Sequence, residues 1–301
     1  MAATGNNTPN GKKDRREQAR ETARIEREAQ KRRDRRNKIF LQGGIGLGIL
    51  AVLAVIALVI VNVNQPAGPA GPGPKNMASQ GILFTGKGGA ITPTLTAAAP
   101  ANGPATPTAF PASDNVAHIT TYVDWACPVC KQFEAAYSSD MEALVAGGSA
   151  TLEIHPIAIL DANYPGSRYS SRAANAAACV ANFDPDKFLD AQTAFYDNQP
   201  AEGSSGLTNG AMLSLLKGAG VDDPKITNCV NKESFKSWVA GVTARTTSTK
   251  SLVDPTSGDF GTPTVFVNGK RWNNSTDFPT FIASAVPGLL GTPTPTPTPT
   301  P

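Results

Sequence analysis

The chain has 301 residues, 40% of them hydrophobic, with 25 Pro and 28 Gly, so one sizeable core is possible but much of the rest must be linker. The formal charge of +3 hides an asymmetry: residues 1–38 hold 13 Lys/Arg against 6 Asp/Glu, and the remainder holds 14 against 18. That balance excludes nucleic-acid binding by charge, and four Cys with two His are too few for a structural zinc cluster plus a catalytic metal.

Residues 12–38 mix both signs with almost no apolar face, as in the pair Glu17 and Arg20. A helix there would be solvated, and its main expected role is to orient the apolar run after it, with a polybasic patch on anionic lipid or on nucleic acid as the functional alternative. From Gly43 to Val61 nineteen residues carry no charge, and Ile39, Phe40 and Leu41 extend the run. Such a run crosses a bilayer core as a helix, and the basic residues before it place 1–38 in the cytoplasm and everything after about residue 62 outside. The apolar run is longer than that of a cleaved secretory signal and leads into Val63, Asn64, Gln65 and Pro66 without a small-x-small site. We therefore expect an uncleaved signal anchor over residues 39–62, held in the lipid bilayer.

Between Gln65 and Pro111 there are nine Pro and eight Gly. This composition predicts a spacer, with a Pro/Gly-rich linker over 63–75 and a Pro-rich stretch at about 98–111. An ordered island at Gln80 to Thr85 reads as an edge strand of the domain that comes next. The last ten residues, 292–301, repeat Thr-Pro and predict a polyproline-II tail.

The folded domain is expected within 76–291, with most of it after residue 112. Val116 to Val123 and Thr151 to Leu160 read as strands. Between them Phe133, Tyr137, Met141 and Val145 recur every four residues, one apolar helix face that Gly147 and Gly148 stop. Residues 168–247 read as helices, with Asp184-Pro185 and Asp223-Pro224 each supplying a cap and a first-turn proline. Pro263 to Val267 returns to strand character, Asn268-Gly269 turns a hairpin into Lys270, Arg271 and Trp272, and a last helix fits Phe278 to Ala285. Strand, helix, strand, helical block, hairpin and helix make an α/β arrangement.

Cys127-Pro128-Val129-Cys130 directly succeeds a predicted strand and opens the Phe133 helix. Unpaired N–H groups and the macrodipole at a helix N-terminus stabilise an anion, and the thiolate is the nucleophile of disulfide exchange. Cys127 is thus the candidate nucleophile, Cys130 one turn on is the resolving thiol, and Pro128 has no first-turn N–H to lose. A zinc site would need a second such pair, whereas Cys179 and Cys229 are 50 positions apart and His118 and His155 are isolated. A structural bond between Cys127 and Cys130 would close too small a loop to be a useful staple. Both histidines read as packed or surface residues, and Trp125, Phe133 and Tyr137 as core, with Trp125 also able to border a substrate groove.

The segments YVDWACPVCKQFE at 122–134 and GTPTVFVNG at 261–269, with the helical insertion between them, resemble the thioredoxin superfamily. In particular they resemble the bacterial, envelope-anchored DsbA-like thiol-disulfide oxidoreductases, over roughly residues 76–290. The resemblance implies a thioredoxin-like fold with a helical insertion, an exposed nucleophile at Cys127, a resolving thiol at Cys130 and a cis-proline at Pro263 preceded by Thr262. The loop at Pro263 would lie against the sulfurs and offer a backbone edge to a substrate peptide. Many relatives bury an acidic residue six positions before the first Cys, where this chain has Thr121; Asp124, three positions before, is where envelope members often carry Asp. The best-known oxidase of the family has His in the dipeptide, where this chain has Val129. Some relatives carry a disulfide within the insertion, which points to a structural Cys179–Cys229 bond, with a second redox-active pair as the alternative.

The implied activity is disulfide exchange with secreted or envelope proteins by a monomer. An oxidase is favoured over a reductase or isomerase, reoxidised by a quinone-coupled membrane partner and needing no bound cofactor. A thiol peroxidase on the same fold and a membrane-tethered peptide-binding module with no catalysis are the rival readings.

Overall fold

The computed structural model describes residues 71–99, 105–111 and 115–286, together with Lys31. The basic segment, the signal anchor expected over 39–62 and the Thr-Pro tail lie outside the described residues. Among the described residues no helix is long and apolar enough to cross a membrane.

In chain order the elements are β1 (Ile82–Lys87), β2 (Ala90–Pro93), β3 (Ala117–Val123), α1 (Pro128–Ala146) and β4 (Ala150–Pro156). A helical block comes next: α2 (Tyr169–Phe183), α3 (Phe188–Asp197), α4 (Asn209–Gly218), α5 (Pro224–Asn231) and α6 (Lys236–Ser248). The chain closes with β5 (Thr264–Val267), β6 (Lys270–Arg271) and α7 (Phe278–Ala285). The strands form one sheet in the order β2-β1-β4-β3-β5-β6. β3 and β4 run parallel through the α1 crossover, whereas β1 joins β4, and β5 joins β3, antiparallel.

Strand period decides what faces what. Ile119, Leu152 and Val267 sit in register across the sheet, as do Thr121, Ile154 and Val265, and all six are buried. The opposite face carries His118, Tyr122, Glu153 and His155. At the β1 edge of α1 the fit is so close that a Cβ on Gly86 would lie 1.8 Å from the Val145 carbonyl oxygen, so only glycine serves there.

The Gly/Pro-rich segment behaves differently from its composition. β1 is an interior strand, hydrogen-bonded to β2 on one side and β4 on the other, and β2 takes the edge position expected of the Gln80 to Thr85 island. Gly73 and Pro74, within the expected linker, are buried, and Gly73 N donates to the Ala99 carbonyl at 2.9 Å. The described part of the Pro-rich stretch, residues 105–111, lies on the sheet: Thr108 donates to Glu153 at 2.6 Å and Phe110 stacks on His118 at 3.9 Å.

Two further expectations shift. The second strand ends at Pro156, short of Leu160. Asp184-Pro185 opens only a 3-10 turn, Pro185–Lys187, and the Asp184 side chain makes no cap bond, whereas Asp223 accepts from Lys225 N at 2.7 Å and caps α5. Asn268 and Gly269 both have positive φ, as the two-residue hairpin turn requires, and Asn268 ties that turn to β3 by accepting from His118 N at 2.7 Å.

Candidate active site

β3, an interior strand, ends at Val123, and Asp124, Trp125 and Ala126 turn the chain into α1. Cys127 is the residue before the helix, with φ −85° and ψ 118°, and Pro128 stands in the first turn. No side chain caps this helix, so its leading N–H groups remain for the Cys127 sulfur. Cys127 Sγ also lies 3.3 Å from the Thr262 carbonyl oxygen, which brings together two segments 135 positions apart. The Thr262–Pro263 peptide bond is cis. Asp124, Cys127, Pro128, Val129, Cys130, Thr262 and Pro263 thus form one cluster at the start of α1.

Both thiols are free, and their surroundings differ. A hydrogen bond from the Cys130 thiol, aided by the Thr262 side chain and by the N–H groups of Cys130 and Val129, lowers the Cys127 thiol to about 6 against the opposing effect of burial. Burial pushes Cys130 well up, and the neighbouring Cys127 adds to that. At pH 7 a thiol at about 6 is roughly nine-tenths thiolate. Cys127 is less open than the resemblance implies, with 6% of its surface exposed, while Val129 beside it is 51% exposed. Trp125 is 1% exposed and packs on Phe188, Phe195 and Tyr196, so it is core and does not border a groove.

Asp124 is fully buried yet well supplied with donors: Ala126 N at 2.9 Å, Ile159 N at 2.9 Å, Leu160 N at 3.2 Å and the Ser170 hydroxyl at 2.7 Å. Burial raises it to about 6 in spite of those bonds, and the Cys127 charge contributes to the rise. Thr121, in the position where many relatives carry an acid, is buried in the sheet.

Cys179 in α2 and Cys229 in α5 are bonded to each other inside the helical block, apart from the first pair. His118 and His155 are buried, the first stacked on Phe110 and the second on Tyr122 and 3.6 Å from Glu153. Burial would raise Glu153, but His155, Ser79 and Thr108 outweigh it and hold the carboxyl at about 2.

Three further residues join the site. Tyr164 donates to the Ala126 carbonyl at 2.9 Å, and Gln199 donates to the carbonyls of Trp125 and Cys127 at 2.8 and 3.0 Å. Glu134, one helical turn after Cys130, is buried, and burial raises its carboxyl to about 7. Glu134 carried a signal, a charged residue on the same helix face as Cys130, while Tyr164 and Gln199 lie in loops with no local pattern.

Residues 112–283, over half of the chain, match the family model described as thioredoxin. The chain belongs to the thioredoxin family. Among solved structures it is similar to reduced DsbA from Mycobacterium tuberculosis, at 27% identity over 71% of this chain and 93% of that one, with a TM-score of 0.52. It is also similar to reduced DsbG, a disulfide bond oxidoreductase of the same organism, at 26% identity over 75% and 90% of the two chains, with a TM-score of 0.50. This thioredoxin-family chain is therefore DsbA-like, with an α/β core and a helical insertion, and its neighbours are thiol-disulfide oxidoreductases. A curated relative, the serine/threonine-protein kinase PknE of Mycobacterium tuberculosis, is 30% identical over 107 residues, 35% of this chain. The chain spans about a fifth, 19%, of the length of the curated relatives it matches.

Proposed function

We propose that this chain is an extracytoplasmic thiol-disulfide oxidoreductase that forms disulfides in secreted or envelope proteins through Cys127 and Cys130. The observation that carries this reading is the unequal pair of thiols at the start of α1: Cys127 lowered to about 6 at the helix N-terminus, Cys130 buried and raised behind it. A DsbA-like family membership agrees with it. The uncharged run over 39–62 would anchor the protein in the membrane with residues 1–38 in the cytoplasm, and the charge of that first segment supports this orientation.

In the forward direction the chain starts with Cys127 and Cys130 bonded. A client thiolate attacks Cys127 Sγ, the bond to Cys130 breaks, and Cys130 leaves as a thiolate that takes up a proton. The client is then tied to Cys127 by a mixed disulfide. A second client thiolate attacks the client sulfur of that bond and releases Cys127 as a thiolate, so the client loses two electrons and the pair gains them. The lowered Cys127 thiol makes this a good leaving group and stabilises the reduced chain, which favours oxidation of clients. A quinone-coupled membrane partner would take the two electrons back.

The deciding experiment is the reduction potential of the Cys127–Cys130 pair, by equilibration with glutathione. We expect roughly −120 to −180 mV, the oxidase range, and a value near about −270 mV would make the chain a reductase supplied with electrons from across the membrane.

A further inference from the structure

Three successive carbonyls lead into α1, and each is taken by a donor from the helical insertion. Gln199, in the loop after α3, spreads its amide across two of them, Trp125 O at 2.8 Å and Cys127 O at 3.0 Å. Between these, the Ala126 carbonyl accepts from the Tyr164 hydroxyl at 2.9 Å, whose single proton is shared with Pro200 O at 3.0 Å, next to Gln199. On the donor side, Ala126 N goes to Asp124 Oδ1 and Cys127 N to the Asp124 carbonyl, both at 2.9 Å. The peptide planes on either side of Cys127 are therefore held from both ends, and Lys131 N supplies only the ordinary helical bond to Cys127 O at 3.1 Å.

A carbonyl pinned by a donor cannot turn its negative end toward the sulfur, and a pinned plane keeps the first-turn N–H groups of Val129 and Cys130 aimed at it. Holding the Trp125 and Cys127 carbonyls from one side chain needs two protons on one neutral group, which an amide –NH₂ has and a hydroxyl or carboxylate lacks. The residues that do this lie 38 to 74 positions beyond the loop they hold, so the insertion, together with Asp124 of the core, holds the backbone of the redox centre.

We propose that Gln199, assisted by Tyr164, is a positioning residue for disulfide exchange: it fixes the peptide planes around Cys127 so that the helix N-terminus acts on the sulfur at full strength. The inference rests on Cys127 being the exchange nucleophile. It makes the insertion a tuning element for the thiolate, separate from any part it has in binding clients.

The test uses the full-length chain in mild detergent with the first pair reduced. Alkylation of Cys127 by iodoacetamide is followed by mass spectrometry from about pH 4 to about pH 9, for the wild type, Gln199→Met, Gln199→Glu and Tyr164→Phe. Methionine keeps the length and removes both protons, and glutamate turns the donor into an acceptor facing two carbonyls. We expect the midpoint to rise by about one unit in Gln199→Met, a roughly tenfold slower reaction at acid pH, further in Gln199→Glu, and by about half a unit in Tyr164→Phe. Midpoints within about 0.2 unit of the wild type in folded Gln199→Met would overturn the proposal, leaving the clamp a packing contact only. Where Gln199→Glu fails to fold, Gln199→Met decides alone. Exchange of the wild type with oxidised glutathione is measured beside it: its absence would remove the oxidoreductase reading, while the alkylation profile still judges the clamp.

Discussion

The chain carries two cysteine pairs in one domain, and their settings are opposite. Cys127 and Cys130 stand where a helix begins, with an uncapped turn of N–H groups and a thin opening to solvent. Cys179 and Cys229 sit in the interior of two packed helices, both almost fully buried and already bonded. Under the proposed function the same side chain is a reactive ion in the first setting, whereas in the second it is a crosslink, and what differs is the field and the access around the sulfur. On that reading the first pair gains from being separable, the second from never separating.

The largest effect that would break this contrast is on chemistry. Cys127→Ser should lower exchange with glutathione by on the order of 10³-fold or more with little change in melting temperature, because it removes the nucleophile and leaves the packing. Cys130→Ser should instead trap mixed disulfides on Cys127, visible as added mass on the intact chain. Substantial exchange by Cys127→Ser would move the chemistry to the second pair.

Next comes the double change Cys179→Ala with Cys229→Ala. Opening a bond that spans 50 positions should cost up to about 4 kcal/mol of stability, read as a lower denaturant midpoint, with the exchange rate kept within about twofold. A changed rate at unchanged stability would make the second pair redox-active too.

The contrast was legible in the sequence to unequal degrees. Cys127-Pro128-Val129-Cys130 stood out because its signal is local: a β-branched run, a helix-opening proline and four residues in one turn. The same locality made Asn268-Gly269 and Asp223-Pro224 readable. Asp184-Pro185 has identical chemistry, yet the preceding helix α2 runs up to Phe183 and leaves Asp184 finishing one helix instead of capping the next. β1 was legible as a strand in the Gln80 to Thr85 island, but its interior place and the β2 edge strand were hidden by the surrounding glycines and prolines. Gly86 is there for its close approach to α1, a tertiary fact that composition reports only as flexibility. Tyr164 and Gln199 act across 38 to 74 positions, where no sequence period operates.

A smaller effect sharpens the difference between the two thiols of the first pair. The folded Cys127 thiol is lowered to about 6, so its contribution to the reduced chain is fully present above the ordinary thiol range and is lost as pH falls through about 6. The stability of the reduced wild type relative to Cys127→Ser should therefore rise between about pH 6 and about pH 9, by at most about 3 kcal/mol and by less once solvent screening is allowed for. Chemical denaturation at several pH values checks this. A flat difference would mean that Cys127 is an ordinary thiol.

The smallest effect tests whether Asp124 belongs to the redox pair or only to the fold. Its carboxyl is raised by burial from 3.8 to about 6, so the folded chain binds the proton more tightly than the unfolded one and stability falls as pH rises through that window. Asn cannot titrate, and it offers an –NH₂ where the carboxylate accepts from Ile159 N and Leu160 N, so Asp124→Asn should be less stable at every pH. The deficit should be largest near about pH 4 and smaller by about 2–3 kcal/mol above about pH 7. Glu134, raised to about 7, and Glu153, held at about 2, titrate in both chains and cancel in the difference. Because the Cys127 charge helps raise Asp124, the window should move to lower pH once the first pair is oxidised and that charge is gone. A difference curve that is identical in the two redox states would separate Asp124 from the thiolate and leave it as a tie between β3, the loop at Ile159 and α2.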